Sequence, residues 1–375
     1  MKYIHAFRDP ERGRHLLHRL AAEADPSRQY RLMEFCGGHT HAIFRYGLQQ
    51  LLPDPIRMIH GPGCPVCVLP SGRLDMALEL IAQPDITLCS YADMLRVPGS
   101  RQRSLQQARA EGADVRMVYS SLEALAIAEA EPQRQVVFLA IGFETTTPPT
   151  AVALRQAQAK GLRNFTVLCN HVLTPAAIAA ILHTDGGEPG IAIDGLLGPA
   201  HVSLVIGTRP YEFCARTYAK PVVISGFEPL DILQSILMLV RQLNQGRAVV
   251  DNQYTRAVSP QGNVTAQALM AEVFEPRSTF EWRGLGPIPH SALQLRPAYA
   301  EFDAEQRFGV VCRPTQDHRA CRCPSVLRGV AQPTDCPLFG HPCNPQNPLG
   351  ACMVSDEGAC AAYYHYARRM PTEAA

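Results

Sequence analysis

Short apolar runs, many of them β-branched, alternate with longer amphipathic segments from residue 30 to about residue 246. Such runs are typical of strands that helices cover on both faces. They predict strands at 30–35, 56–60, 86–90, 115–119, 135–141, 165–169, 191–194, 202–206 and 221–225. The segments between them have helical spacing at 71–82, 121–130, 149–160, 175–183 and 228–244. Strands that alternate with helices along a chain indicate an α/β fold with parallel sheets.

The number of predicted strands favours two doubly wound parallel-sheet domains over a single sheet. We expect a first domain over 1–120 that also takes in about 195–245, and a second over 121–194. The remaining segment, 246–375, has a different composition: seven prolines and two glycines stand between Pro314 and Pro348. Long helices and strands are disfavoured there, and a loop-rich segment of this kind usually needs a metal to hold it. It is predicted to form a third, loop-rich C-terminal domain that a metal holds together.

Composition narrows the class of protein. With 46% hydrophobic residues, 18% charged residues and a net charge of +1, the chain has no basic surface that would favour nucleic acid or an anionic membrane. The first residues lack the apolar core of a signal peptide, and no stretch reaches the roughly 18 apolar residues of a membrane span. We therefore expect a cytoplasmic protein. In that reducing compartment, thirteen cysteines indicate metal binding or catalysis, not a disulfide framework.

The first candidate site is the stretch MEFCGGHTHAIFRYG, in which Cys36 ends a predicted strand just before a helix. Functional groups in open α/β sheets gather beyond the carboxyl ends of strands. A thiol at a helix N-terminus should also have a lowered pKa. Cys36 is therefore a candidate ligand or nucleophile, although a buried structural cysteine would fit the same pattern. His39 and His41 are either ligands or groups that orient the sulfur.

Two further motifs end predicted strands. HGPGCPVC carries a Cys-x-x-C pair, Cys64 and Cys67, without the second pair that a zinc finger requires, so the pair is a dithiol or a set of iron ligands. IGFETTTPPT carries Glu144 and Thr145. These residues form a cradle for a small ligand, with a carboxylate to handle protons, or else Thr145 to Thr147 cap the next helix by satisfying its N–H groups. Isolated polar residues at other strand ends, such as His201, carry no prediction by themselves.

Seven of the thirteen cysteines crowd between Cys312 and Cys360, whereas those within apolar runs, such as Cys214, suit core packing. Four thiolates in a proline-rich segment fit an all-cysteine zinc site or a [4Fe-4S] cluster, and their wide separations favour the cluster. These four are Cys321, Cys336, Cys343 and Cys360. Two interleaved cysteines, Cys323 and Cys352, suggest a dithiol beside the metal.

Taken together, the motifs resemble one family. CGGHTHAIFRYG, GPGCPVCV, GFETTTP and the C-terminal CPLFG, GACMVS and EGAC segments are similar to HypD, a family of [NiFe]-hydrogenase maturation factors, from about residue 30 to 366. The resemblance implies a [4Fe-4S] cluster on the four cysteines just given. It also implies that Cys323 and Cys352 form a redox-active pair, and that Cys36 binds iron together with the N-terminal cysteine of a small partner, HypC.

The function that the resemblance implies is a redox-active scaffold on which the Fe(CN)2CO unit of the hydrogenase is assembled. Cyanide would arrive as a thiocyanate on HypE, with HypF acting upstream, and electrons would pass through the cluster and the nearby thiols. An iron that carries cyanide and carbon monoxide is low-valent and suits thiolate ligands. The alternatives are a non-catalytic iron-binding scaffold whose cluster is purely structural and a general thiol oxidoreductase.

Overall fold

A computed structural model of the protein describes residues 5–183 and 192–367. The α/β class predicted from the alternation of apolar runs and helices is confirmed. The strands of its two parallel sheets are β1 (Tyr30–Glu34), β2 (Ile56–His60), β3 (Ile86–Ser90), β4 (Val115–Met117), β5 (Gln135–Gly142), β6 (Phe165–His171), β7 (Gly195–Pro199), β8 (Val222–Ser225) and β9 (Val250–Asn252).

Helices connect these strands and cover the sheets. They are α1 (Pro10–Glu23), α2 (Gly37–Arg45), α3 (Leu48–Leu51), α4 (Pro65–Val68), α5 (Ser71–Leu80), α6 (Ala92–Arg96), α7 (Leu105–Ala110), α8 (Ser121–Ala130), α9 (Thr147–Ala159), α10 (Thr174–Leu182), α11 (Ala200–Ile206), α12 (Glu212–Tyr218) and α13 (Pro229–Asn244). Among the described residues, no helix is both long enough and apolar enough to cross a membrane.

The first sheet has five strands in the order β2-β1-β7-β8-β9, all parallel. Alternate residues of β1 point to opposite faces, as the pleat requires. Leu32 packs with Leu20 of α1 and Ile236 of α13 on the outer face, whereas Met33 belongs to a larger cluster on the inner face. Glu34 pairs in register with His60, so β1 and β2 end at the same level.

The second sheet has four parallel strands in the order β4-β3-β5-β6. Residues 86–117 thus pair within the second sheet, although the sequence placed them in a first domain reaching residue 120. The sequence of a buried apolar strand does not show which strands lie next to it, because the crossover connections decide which strands pair. The largest apolar cluster joins Met33 of the first sheet, Leu139 of the second and Cys352 of the C-terminal segment into one core.

Residues 202–206, predicted as a strand, lie in helix α11. Ala200 and Ser203 are buried one helical turn apart, and the Ser203 hydroxyl donates to the carbonyl of Pro199 at 2.8 Å. A short apolar run cannot be assigned to strand or buried helix by its pattern alone, which explains the error. Residue 191 of the predicted strand 191–194 lies outside the described residues, and the strand observed in this region is β7.

The C-terminal part begins with α14 (Val264–Val273) and two small antiparallel pairs, β10 (Phe274–Pro276) with β13 (Leu293–Leu295) and β11 (Thr279–Trp282) with β12 (Gly286–Pro289). It continues through α15 (Ala304–Phe308), α16 (Cys323–Leu327) and α17 (Ala359–Tyr366), with loops and short 3₁₀ turns between them. The cysteine-rich stretch is thus loop-rich, as its proline content predicted, and α17 packs on α2 of the first sheet.

Candidate functional site

The carboxyl ends of both sheets and the C-terminal segment surround one cleft of about 510 Å3. Each wall contributes residues that directly follow a strand or begin a helix, as expected for parallel sheets. Gly63 follows β2, Tyr91 follows β3 and Phe143 follows β5, while His201 lies in the first turn of α11 and Glu357 comes from the cysteine-rich segment. The cleft is therefore built from parts of the chain that are far apart in sequence.

Cys36 lies beside this cleft. It precedes α2 as its N-cap residue in an extended conformation, and only 1% of its surface is exposed. Its Sγ lies 3.4 Å from Nδ1 of His201, across from the first turn of α11. The ring of Phe227 lies between His201 and His39, with ring centroids 5.3 Å and 4.6 Å apart, respectively. This stack holds the imidazole of His201 against the thiol.

Burial raises the pKa of the Cys36 thiol well above its usual value, and the carboxylates of Glu357 and Glu34 add to the rise. The N–H groups of Gly38 and His39 lower this pKa, but by less. The helix N-terminus had suggested a lowered pKa, and the direction is opposite because loss of solvent outweighs the helix terminus. A bound metal cation removes the proton from such a thiol outright, so the site suits a metal better than a free thiolate.

Neither His39 nor His41 is among the residues that line the cleft. Nε2 of His39 lies 3.1 Å from the carbonyl oxygens of Ser225 and of Gly226, and burial lowers its pKa to about 4. Nδ1 of His41 lies 3.3 Å from the carbonyl oxygen of Asp356. His39 therefore anchors α2 to the loop after β8, while His41 anchors it to the cysteine-rich segment. Both histidines support the Cys36 loop from behind.

Cys64 and Cys67 form a disulfide at the start of α4, and both are buried. Their loop lies directly on the Cys36 loop, because the N–H of Gly37 donates to the carbonyl of Gly63 at 3.0 Å. A Cβ atom at Gly63 would overlap the backbone of Cys36, so only glycine permits this approach. The structure thus brings the Cys-x-x-C pair and Cys36 together beside the cleft, which Gly63 and His201 line.

A second group of cysteines lies behind the disulfide. Sγ of Cys67 is 4.0 Å from the carbonyl oxygen of Ala351, the residue before Cys352. Six cysteines line one small cavity together with Phe339, Gly350 and Met353; they are Cys321, Cys323, Cys336, Cys343, Cys352 and Cys360. Cys312, by contrast, lies away from it near Gly72. The structure thus groups the four predicted cluster ligands with the predicted dithiol.

Backbone N–H groups point at the sulfurs of this cavity. Leu349 N lies 3.3 Å from the sulfur of Cys343, and Arg322 N lies 3.5 Å from that of Cys336. Hydrogen bonds to sulfur are one of the means by which proteins hold and tune iron-sulfur clusters. Within residues 5–183 and 192–367, no three Cys, His, Asp or Glu side chains converge as ligands of a single metal ion. Cysteines grouped around one cavity could hold either a zinc ion or an iron-sulfur cluster.

Cys323 and Cys352 are in contact inside the cavity. The Cys352 thiol donates to the sulfur of Cys323, which lowers the pKa of Cys323 and raises that of Cys352. Cys352 also contacts Cys360. One sulfur of the predicted dithiol is therefore beside the cluster cysteines, and the same residue is next to Ala351, which contacts Cys67.

Glu144 and Thr145 take different positions. Both oxygens of the buried Glu144 carboxylate accept from Thr174, at 2.8 Å from its N–H and 2.9 Å from its hydroxyl, so Glu144 caps the start of α10. Thr145 lines the cleft. The cap expected of Thr145 to Thr147 is not seen: Thr146, the residue before α9, makes no side-chain cap to that helix, and its hydroxyl donates to the carbonyl oxygens of Ile141 and Phe143. Thr145 is placed where a ligand could meet it.

Glu144 should make stability depend on pH. Burial raises the pKa of its carboxyl to about 7, above the ordinary value of 4.5, so the folded protein keeps a proton that the unfolded chain loses. Stability from this group therefore falls as pH rises between these two values. The Glu144→Gln side chain is neutral at every pH. The free energy of unfolding of this variant, relative to that of the wild type, should therefore increase by on the order of 3 kcal/mol between about pH 5 and pH 8.

Urea unfolding of both proteins at the two pH values measures this gain. Glu129→Gln, at an exposed ion pair with Lys160, is the control and should show no such trend. If the free energies of unfolding of Glu144→Gln and wild type differ by the same amount at both pH values, the raised pKa of Glu144 is contradicted.

Comparison with known proteins shows to which family the chain belongs. The profile of the HypD family, described as "Hydrogenase formation hypA family", matches residues 11–367. The chain belongs to the HypD family. It is 62% identical over 370 residues to "Hydrogenase maturation factor HypD" of Azotobacter vinelandii, which covers 98% of each chain. It is 60% identical over 372 residues to the factor of that name from Cupriavidus necator, again over 98% of each.

The match to the HypD factor of Escherichia coli K12 is 47% over 379 residues, with both chains covered in full. A chain that matches HypD proteins end to end at these identities is a hydrogenase maturation factor. As a HypD protein, it takes part in the machinery that matures hydrogenases.

Three residues of this HypD site were not singled out by the sequence. His201 lies 165 positions from Cys36, Phe227 lies between the two histidines, and Glu357 reaches the cleft from the C-terminal segment. His201 follows a strand directly, which was a signal, but the sequence does not say which strand ends meet. A Cβ atom at Gly37 would overlap the backbone of Glu357, so this contact is also tight.

Proposed function

We propose that the protein is a redox-active scaffold that assembles the Fe(CN)2CO unit of a [NiFe]-hydrogenase. One observation supports this proposal above the others: Cys36, the Cys64–Cys67 disulfide and the six-cysteine cavity form a continuous row from the cleft into the C-terminal segment. A thiol that holds a metal, a dithiol that stores electrons and a cavity for an electron-transfer centre are what such an assembly needs.

Iron is the cargo, and Cys36 is the proposed ligand. The thiol lies beside the cleft, against His201 of its lining, so a second ligand from another protein could approach through the cleft. A small chaperone of the HypC type, with its N-terminal cysteine as that ligand, is the proposed partner. His201 lies 3.4 Å from the sulfur and is held by Phe227. Its place next to the thiol lets it contact an iron ion there.

Cyanide delivery explains the need for electrons. If cyanide arrives as a thiocyanate on a HypE protein, with HypF upstream, its release as the anion consumes two electrons and one proton and leaves a thiol. The reduced Cys64–Cys67 pair can supply this: two thiols plus one thiocyanate give one disulfide, one thiol and hydrogen cyanide. The disulfide in this structure is then the spent form of the pair.

Restoring the Cys64–Cys67 dithiol needs two electrons and two protons. A reduced Cys323–Cys352 pair can provide both by thiol-disulfide exchange, becoming a disulfide itself. Ala351 places the backbone of this pair against Cys67, with 4.0 Å between Sγ and the carbonyl oxygen. The exchange requires a small movement of this loop, since direct attack needs sulfur to contact sulfur.

The proposed ligands of a [4Fe-4S] cluster are Cys321, Cys336, Cys343 and Cys360, since they line the cavity with N–H groups directed at their sulfurs. The chemistry that such a cluster would supply is one-electron transfer from an external donor, and two electrons with two protons would return the Cys323–Cys352 disulfide to the dithiol. The chain's own contribution is to hold Cys352 against both the cluster ligands and Cys323.

Replacing Cys352 by alanine tests the redox role against a purely structural cluster. We expect Cys352→Ala to keep the cluster absorption but to lose most hydrogenase maturation, because the Cys64–Cys67 disulfide is no longer reduced. Maturation assays in cells and thiol counting of residues 64 and 67 after anaerobic reduction measure this. Maturation at the wild-type level with an intact cluster would instead favour the non-catalytic scaffold.

A further inference from the structure

Glu34 is a fully buried carboxylate at the end of β1, two positions before Cys36. The N–H of Cys36 donates to its Oε2 at 2.9 Å, and the hydroxyl of Thr40 donates to its Oε1. Nδ1 of His60 lies 2.8 Å from the same Oε1. Buried polar groups are costly without such partners, and these three contacts use both oxygens of the carboxylate.

The contacts close a ring around Cys36. The carbonyl oxygen of Cys36 accepts from the N–H of Thr40 at 3.1 Å and lies 3.4 Å from its hydroxyl. Thr40 thus contacts both Glu34 and Cys36, while Glu34 holds the Cys36 N–H. With its N–H and its carbonyl both fixed, the residue presents its sulfur in one direction, toward His201.

The same carboxylate also reaches the Cys64–Cys67 loop. His60 is the last residue of β2 and leads into Gly61–Cys64. The N–H of Gly61 donates to the carbonyl of Glu34 at 2.9 Å, beside the contact between the two side chains. Glu34 and His60 therefore join the loop of the metal-binding thiol to the loop of the dithiol at one point.

We infer that Glu34 and His60 are positioning residues for Cys36: their hydrogen bonds hold the thiol in its sheltered place beside His201 and next to the Cys64–Cys67 loop. The role in iron retention rests on the proposed function, whereas the placement of the thiol rests only on the contacts. Without the hydrogen-bond acceptor at residue 34, the loop of Cys36 is no longer held and its thiol becomes more exposed. The thiol is then no longer preorganised to bind iron.

Two variants of Glu34 separate hydrogen bonding from charge. Glu34→Gln keeps an oxygen for the Cys36 N–H, and both a hydroxyl and a neutral imidazole can accept from the new amide. Glu34→Met has similar length but cannot accept. Trypsin releases Cys36 within residues 32–45, between Arg31 and Arg45, as the single cysteine of its peptide. The rate of Cys36 alkylation by iodoacetamide can therefore be followed by mass spectrometry on the full chain without any partner.

We expect the alkylation rate of Cys36 to be about tenfold higher in Glu34→Met than in Glu34→Gln, since both variants remove the charge that raises the Cys36 pKa and only Glu34→Met removes the acceptor. Equal rates for wild type and Glu34→Met would overturn the inference. So would a rate for Glu34→Gln as high as that for Glu34→Met, since charge and not hydrogen bonding would then place the thiol. Glu23→Gln, at the remote ion pair of Glu23 with Arg241, is the control and should leave the rate unchanged.

Variants of the less buried His60 test the same inference if Glu34→Met does not fold. His60→Asn keeps an N–H near the position of Nδ1, whereas His60→Leu does not. In the complex with the small partner, His60→Leu should lower iron content and shift the cyanide and carbon monoxide infrared bands, and His60→Asn should restore both. Identical iron content and bands for His60→Leu and wild type would count against the inference. A wild-type complex without iron would refute the proposed function instead and would leave the alkylation result valid.

Discussion

Replacing Cys36 by alanine should reduce the iron bound by the complex of the protein with its small partner to background, while the iron and sulfide of the C-terminal cavity remain. The reason is that Cys36 is the proposed thiolate ligand beside the cleft, and its neighbour His201 cannot replace a soft thiolate for low-valent iron. Metal analysis of the anaerobically purified complex, combined with sulfide determination to account for the cluster, measures the loss.

Cys214→Ala is the matched control for this variant. Cys214 is also a fully buried cysteine, but it packs within the core on α12. It should keep wild-type iron content, which separates the loss of a ligand from the loss of a buried sulfur. Normal iron content in the Cys36→Ala complex would refute the assignment of Cys36 as the iron ligand.

Replacing Cys343 by alanine should remove the cluster. We expect the iron and sulfide content of the isolated chain to fall from about four of each to near zero, and the broad absorption at roughly 400 nm to disappear. Thermal stability should fall as well, because the loop-rich segment around Cys343 is proposed to depend on the metal to hold it. Absorption spectroscopy, metal analysis and thermal unfolding of anaerobically purified protein measure these changes.

Cys312→Ala is the control within the same cysteine-rich stretch. Its side chain lies near Gly72, away from the six cysteines of the cavity, so its removal should leave iron, sulfide and absorption unchanged. If the wild-type chain holds zinc in place of iron and sulfide, the proposed cluster is wrong, whatever the variants show.

The class of the fold could be predicted because alternation of strands and helices leaves a strong pattern in the sequence. The pairing of strands could not: β3 and β4 look like the strands of the first sheet, yet they pair with each other in the second sheet, where β3 also pairs with β5. The error at 202–206 has a related cause. An apolar run of that length can pack in the core either as a strand or as a buried helix, and here it forms α11.

The cysteines of the candidate site could be singled out from sequence because they fall at predicted strand ends or in a proline-rich segment, whereas a core cysteine such as Cys214 lies in an apolar run. Their surroundings could not. The contact of Cys36 with His201 joins residues 165 positions apart, and the anchoring of Cys36 by Glu34 depends on His60 from the next strand. The direction in which the pKa of Cys36 is shifted also depends on burial, and a position at the start of a helix does not reveal how buried the thiol is.

The most direct test of the central claim is an infrared spectrum of the wild-type protein purified anaerobically with its HypC-type partner from cells that mature a [NiFe]-hydrogenase. We predict bands of two cyanides and one carbon monoxide bound to iron, which are absent from the Cys36→Ala complex prepared in the same way. A wild-type complex without these bands, from cells with active hydrogenase, would contradict the proposal that the Fe(CN)2CO unit is assembled on this chain.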